Sequence, residues 1–311
     1  MRRFIIRRFV FALVSIVLAT LAVFFISRAA GDPLLLYANS GYGLTVEAEE
    51  ALRARLALDK PVIVQYSLWL GRAVRGDMGE TILDRKPVSR VVTQRLPATI
   101  HLGFVAFFLS FGVGIPLGVL SAVKRGSAWD YIGRFFALLG QAVPQFWLGL
   151  VLILIFAVQL RWFPAGLKGD SVLDIQHLIL PTITLAWGGF AFYMRITRTS
   201  MLEVLDSEYV RLARAKGVSN GWVIWKHAFK NALIQPLTGM TLAIVGLLNG
   251  AVLVETIFAW PGMGQMAITA VNNNDFPLLQ GIVFFFTVLI VASTFLADLL
   301  YAYIDPRIRY D

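Results

Sequence analysis

Long apolar runs constrain this chain more than any other feature of its sequence. A bilayer core about 30 Å thick takes a helix of roughly 20 apolar residues. Six stretches meet that need, at about residues 9–26, 99–123, 135–160, 180–196, 234–257 and 278–302. Hydrophobic residues make up 58% of the 311 and charged residues only 15%, against about 25% charged in an average soluble protein. A soluble fold has too little polar surface to cover so much apolar area, and disorder needs low hydrophobicity. The expected fold class is therefore an all-α polytopic membrane protein with six transmembrane helices. The Arg-rich start before an apolar run also has the form of a secretory signal, with Ala29-Ala30-Gly31 as a cleavage-like stretch. The length of the run and the five spans that follow favour a first membrane anchor.

The charge balance is basic, 28 Lys+Arg against 19 Asp+Glu for a net +9. Its placement decides its meaning. With the N-terminus inside, Arg2, Arg3, Arg7, Arg8, Lys124, Arg125, Arg134, the basic residues between Arg195 and Lys230, and Arg307 and Arg309 fall on one side. The short loops on the other side hold Arg161 and Lys168, and the stretch 255–280 has no Lys or Arg. That asymmetry is the positive-inside signature, and it predicts two cytoplasmic termini. Nucleic acid is not needed to explain the charge.

Two segments outside the bilayer are large. The external one, about 31–97, sits between the first and second spans and reads as helical pieces. Thr45 is placed to cap one helix, with Glu47, Glu49 and Glu50 in its first turn. Pro61 opens another, with Val64, Leu68 and Val74 near one face alongside Tyr66 and Trp69, until Gly76, Asp77 and Gly79 break it. The segment reads equally as a cap over a pore mouth or as a docking surface for an external partner.

The cytoplasmic segment, about 198–233, reads as two short helices meeting at a glycine. Asp206 or Ser207 caps the first, Glu208 lies in its first turn, and Arg211, Arg214 and Lys216 lie toward its C-terminal end. Tyr209, Leu212 and Ala213 share a face at i, i+3, i+4. Gly217 stands where a left-handed C-terminal cap belongs. Ser219 caps the second helix, whose Trp222, Trp225, Phe229 and Leu233 recur as a stripe, with Lys226, Lys230 and Asn231 off it. The pattern by itself favours a basic amphipathic loop on anionic lipid, with a rigid knob gripped by a cytoplasmic partner as the functional alternative.

Glu208-Tyr-Val-Arg-Leu-Ala-Arg-Ala-Lys-Gly217, followed by Lys226-His-Ala-Phe-Lys-Asn-Ala-Leu-Ile-Gln-Pro236, closely resembles the coupling loop of binding-protein-dependent ABC transporter permeases. The departures from the general pattern, Arg211-Leu212 and His227-Ala-Phe-Lys230, are similar to the dipeptide/oligopeptide/nickel permease group. The resemblance runs along nearly the whole chain. Residues 8–33, Leu58-Asp-Lys-Pro61 with Gly76-Asp77-x-Gly79, Arg95-Leu-Pro-Ala-Thr99, Glu255 to Gly264, Asp275-Phe-Pro277 and Ala302 to Tyr310 resemble successive parts of the B-type subunit. Asn274 departs, standing where the group often has arginine.

The resemblance implies the ABC importer permease fold, with residues 1–97 as the N-terminal helix plus insertion and 98–311 as a five-helix core. It implies an importer of peptides or similar small solutes in a bacterial or archaeal cytoplasmic (inner) membrane, working with a C-type sister permease, two ATP-binding cassette subunits and an extracytoplasmic solute-binding protein. Glu208, Tyr209, Arg211, Ala213, Arg214, Gly217 and Asn231 would then face the ATPases, and Asp59, Tyr66, Trp69 and Asp77 the binding protein. No phosphate-cradling Gly-Lys-Ser/Thr loop occurs, so nothing here cradles ATP phosphates; the resemblance implies that ATP and Mg are bound by the partner subunits, and no cofactor is expected in this chain. His101, His177 and His227 are too dispersed for a metal or catalytic centre, and no catalytic residue is expected. Polar groups within spans are the remaining clue. Gln141, Gln145 and Asn249 are candidates for a translocation pathway or for helix–helix hydrogen bonds. Glu255 is expected near the outer interface and Asp298 near the inner one, within reach of Arg195.

Overall fold

Apolar sequence becomes helix here because a helix satisfies every backbone donor and acceptor within its own segment, the requirement a bilayer imposes. The computed structural model describes the backbone of residues 2–29, 50, 53, 54, 56–169 and 174–304, and the side chains of these except 2–5, 241–249 and 297–304. In chain order its principal elements are α1 (Arg2–Ala29), α2 (Val62–Ala73), α3 (Val88–Val123), α4 (Ala128–Ala142), α5 (Gln145–Leu152, continued as a π-helix Ile153–Gln159), α6 (Ile175–Leu205) and α7 (Glu208–Ala215). They continue with α8 (220–232), α9 (Ile234–Thr238), α10 (Met240–Ile257), α11 (Met263–Asn272) and α12 (Phe276–Ile304). Among the described residues the only β-pairing is an isolated bridge between Glu80 and Pro87.

Among the described residues, four helices are long and apolar enough to cross a membrane, α1, α3, α6 and α12, and α4 with α5 makes a fifth candidate bent by 107°. The sequence reads 135–160 as one span. Pro144 overrides that reading, because the residue before a proline is driven out of the helical region, and Val143 is extended at ψ 119°. The expected span 234–257 is divided between α9 and α10 at Gly239, which keeps a helical φ of −70° and ψ of −9° and donates its N–H to Gln235 O at 3.1 Å. The expected helix near Thr45 and the C-terminal motif 305–310 lie outside the described residues, as do the side chains of Asn249 and Asp298.

The chain forms two compact units. The first joins Met1–Ala98 to Gly262–Phe295. Its core packs Phe24, Tyr66, Trp69, Met78, Val88, Val92, Met263 and Ile282. Tyr66 ties α2 to α1: its hydroxyl donates to Val17 O at 3.0 Å and shares a 2.9 Å bond with Thr20 Oγ1. The turn after α2 is held by Asp275, whose carboxylate accepts the N–H groups of Ile82 (2.9 Å) and Leu278 (3.1 Å). Asp275 thus caps α12 and anchors the turn together. The face expected from Val64, Leu68 and Val74 is the solvent side of α2, and the buried stripe is Gln65, Tyr66, Trp69 and Ala73. The aromatic pair, set one turn apart, packs its rings on Phe24 of α1, at centroid distances of 5.6 and 6.1 Å.

The second unit comprises Thr99–Pro261 and Leu296–Asp311. Helix α6 is its centre, packed against α4, α5, α10 and the helices of the cytoplasmic segment. Small residues let α3 and α6 approach closely. A Cβ added at Gly118 would lie 2.7 Å from both Met194 O and Thr197 Cβ, and one at Gly114 would lie 2.9 Å from Phe190 O. Membrane helices associate largely through such close backbone packing.

Candidate functional site

The cytoplasmic segment begins later than its polarity suggests. Helix α6 runs unbroken to Leu205, with Asp206 as its C-cap, and Ser207 is already the N-cap of α7. Only Asp206 and Ser207 separate the 31-residue α6 from the eight-residue α7. A short link of this kind passes a displacement of α7 to α6 with little slack.

The end of α7 is a Schellman cap. Val218 N–H donates to Ala213 O at 3.2 Å and Gly217 N–H to Arg214 O at 3.0 Å, the paired 6→1 and 5→2 bonds that satisfy the terminal carbonyls. The motif requires a left-handed residue, and Gly217 supplies it at φ +78°. The cap folds Val218 back onto Val210, Ala213 and Val223. A second small cluster sets Ala228 and Ala232 of α8 against Val119, Ala122 and Met201. The loop is therefore packed onto the membrane helices as a body.

Two sequence expectations are corrected here. The buried face of α7 is Val210 and Ala213, while Tyr209 and Leu212 are exposed. In α8, residues Val223–Phe229 form a π-helix. Its wider turn places i and i+5 on one face, so the buried stripe is Val223, Ala228 and Ala232. The 3.6-residue period had selected Trp222 and Trp225, and each is 59% exposed. With Leu212 at 57% and the exposed Arg211, Arg214, Lys216 and Lys226, they make a basic surface studded with large apolar side chains. Lys226 lies over the Trp222 ring at 4.7 Å. Asn231 Nδ2 donates to Tyr209 Oη and to His227 O, both at 3.0 Å, joining α8 to α7. Glu208 pairs with Arg211 at 3.2 Å on the open surface, a contact contributing little to stability. The seven loop residues chosen from the sequence thus lie on α7, its glycine cap and the adjoining α8.

The other candidates scatter. In the first unit Asp59 and Asp77 are exposed, but Tyr66 and Trp69 are core residues and present no docking surface. In the second unit Gln145 Nε2 donates to Thr184 O (3.1 Å) and Leu185 O (3.0 Å), which makes it a link between helices. Glu255, expected near the interface, is fully buried and accepts a 2.7 Å bond from Thr99 Oγ1. Gln141 is exposed along α4.

Sequence reading missed a buried ion pair at the root of the loop. Asp130 is 1% exposed. Its carboxylate receives Arg198 Nε at 2.7 Å and Nη2 at 3.1 Å, Ser121 Oγ at 2.7 Å and Gly126 N at 3.0 Å. One carboxylate thus clamps the end of α3, the start of α4 and the last turns of α6. The available signal was a lone acid in the basic stretch between Lys124 and Arg134.

The comparisons with known proteins agree with one another. Residues 114–310 match the family described as binding-protein-dependent transport system inner membrane component, and residues 1–103 match its N-terminal counterpart. A putative peptide transport system permease protein of Brucella abortus is 41% identical, with 96% of each chain covered. The oligopeptide transport system permease protein AppB of Bacillus subtilis is 38% identical, with 100% of each chain covered. The dipeptide transport system permease protein DppB of Escherichia coli is 37% identical, covering 100% of this chain and 99% of that one. Among solved structures, the inward-facing MetNI methionine ABC transporter aligns at a TM-score of 0.55 and 18% identity, over 69% of this chain and 96% of that one.

Proposed function

Because the chain belongs to the binding-protein-dependent transport system inner membrane components, we propose that α7 is the element through which ATPase subunits drive its spanning helices. The protein is a multi-pass inner-membrane permease subunit of an ATP-driven importer for peptides or similar small solutes, and hydrolysis belongs to separate subunits. Permeases of this kind work with ATPases, a sister permease and a substrate-binding protein.

Our finer reading assigns one C-type sister permease and two ATPase subunits, with both termini of this chain cytoplasmic, on the strength of the Lys/Arg asymmetry. Residues 98–311 would supply half of the pathway, with Gln141, Asn249 and the enclosed Gln145 and Glu255 as polar groups along it. Residues 1–97 would receive the binding protein through Asp59 and Asp77, with Tyr66 and Trp69 supporting that surface from beneath. ATP-driven closure of the ATPases would push α7, and α6 would carry the push into the membrane, since a stiff helix transmits a displacement that a floppy loop absorbs.

The single observation that carries this reading is the delivery of α7 two residues after α6, with its outer face exposed. The test is Leu212→Asp in the assembled complex. Leu212 is exposed and makes no core contact, so the fold should survive. Co-purification of the ATPases should fall sharply and substrate-stimulated ATP hydrolysis with it. Full assembly with normal stimulation would overturn the assignment of α7.

A further inference from the structure

Helices α4 and α6 leave a groove of about 240 Å³ in the second unit. Its lining carries three guanidinium groups, Arg134, Arg195 and Arg198. The rest of the lining is Gly133, Ala137, Leu138 and Met194 with the polar Gln141 and Thr199. Asp130 engages Arg198 at 2.7 Å and approaches Arg134 at 3.7 Å. One carboxylate cannot neutralise three guanidiniums, so the described side chains leave the groove positive. Arg195 is exposed at its edge.

The depth of the groove is marked by its neighbours. Trp129 and Tyr131 at the start of α4 are exposed, with Lys124 over Trp129 at 5.8 Å and Arg134 over Tyr131 at 4.5 Å. Exposed Trp and Tyr beside basic residues are the mark of the headgroup level of a bilayer. Phe135, Phe136 and Leu138 follow immediately as an exposed apolar face. Arg134, near the start of α4, therefore lies at headgroup depth, and Ala137 and Leu138, one turn further along α4, lie toward the acyl region.

We propose that this groove binds an anionic phospholipid, with its phosphate held by Arg134, Arg195 and Arg198 and an acyl chain laid along Ala137, Leu138 and Met194. Guanidinium forks match phosphate oxygens, and basic pockets between membrane helices on the cytoplasmic side suit acidic headgroups. A free phosphate would leave the apolar wall unused, and a zwitterionic lipid would bring a cation to a positive site. Arg198 sits between this groove and the Asp130 clamp, so an occupant would bear directly on the packing of α4 against α6.

The experiment uses the complete importer in nanodiscs of phosphatidylcholine doped with photoactivatable phosphatidylglycerol or photoactivatable phosphatidylcholine, with cross-links mapped by mass spectrometry. The phosphatidylglycerol probe should label α4 and α6 around Leu138 and Met194, and the phosphatidylcholine probe should not. Arg195→Gln should raise the probe concentration for half-labelling about fivefold, and Arg134→Gln by a similar factor. Arg195 is exposed, so that variant folds even if changes nearer Asp130 do not. Arg75→Gln, an exposed change in the first unit, should leave labelling unchanged. Equal labelling by both probes, labelling indifferent to Arg195→Gln, displacement by inorganic phosphate alone, or cross-links from the groove to another subunit in place of lipid would each overturn the proposal.

Discussion

Gly217 offers a test that separates backbone conformation from steric contact. Its φ is +78°, and a Cβ built on it meets nothing within 4 Å. A Cβ here therefore meets no clash among the described residues, and the penalty is chiefly conformational. Holding an L-residue in the left-handed region costs about 1–2 kcal/mol, with valine at the upper end because both of its γ-methyls crowd the backbone. The loop could relieve that strain by leaving the left-handed region. It would then lose the Val218 N–H···Ala213 O and Gly217 N–H···Arg214 O bonds, at about 1 kcal/mol each, and expose Val218. The two costs are comparable, so Gly217→Val should fold and yet populate a loosened cap. A change of 1–2 kcal/mol shifts such an equilibrium about 5- to 30-fold. Substrate-stimulated ATP hydrolysis in the assembled complex should fall several-fold, with subunit stoichiometry intact. Asparagine tolerates the left-handed region better than alanine although it is larger. The expected order is glycine, then asparagine, then alanine, then valine. An order that follows side-chain size, with alanine better than asparagine, would mean that a partner surface packs on Gly217 and would refute the conformational argument. So would normal coupling in the valine variant.

Three further outcomes follow from the packing. Asp130→Ala strips the partner from Arg198, whose side chain keeps 21% exposure, so thermal denaturation in detergent should show a loss of about 3 kcal/mol, the low end for breaking a buried pair; an unchanged melting temperature would show that water replaces the carboxylate. Burial raises the Asp275 pKa, opposed by the backbone N–H groups of Leu278, Ile82 and Leu83 and assisted by the charge of Asp84. The folded state then binds this proton more tightly than the unfolded state, so stability should decline as pH rises from the ordinary carboxylate value through the raised one; melting across that window should slope downward, and Asp275→Asn should remove the slope while lowering the level, through the loss of one acceptor. Gly118→Val would force α3 from α6, at about 1–3 kcal/mol for overpacking, seen as a lower melting temperature, whereas Gly112→Val, where a Cβ meets nothing within 4 Å, should be silent.

The legible and illegible parts of the fold divide along a physical line. Gly217 could be placed from sequence because a C-terminal cap is a local event, settled by the few residues around it. The helical segments could be placed because backbone satisfaction in lipid is a per-segment demand. Tyr209 and Leu212 were assigned to the wrong face of α7 because an eight-residue helix offers barely two turns of periodicity. Val210 wins the buried position through contacts with Val223 and Val218, which lie beyond the helix. The stripe in α8 was misread because a π-helix changes the period itself, and residues 223–229 carry no composition that announces it. Tyr66 and Trp69 read as docking residues and are core, since which face of α2 meets α1 depends on distant partners such as Thr20 and Val17, 46 and 49 residues before Tyr66.

By itself the sequence determined that the chain is a helical membrane protein, that its basic residues favour one side, and that a capped knob lies between the fourth and fifth spans. Hydrophobic length, charge placement and turn chemistry are additive along the chain, so each can be summed from neighbours. Only the tertiary structure decided that Pro144 bends the third span through 107°, that α6 delivers α7 across two residues, and that Asp130 joins three helix ends through Arg198. Those outcomes depend on which distant side chains fill the same space, and a buried carboxylate is stable only where the fold brings a guanidinium to meet it.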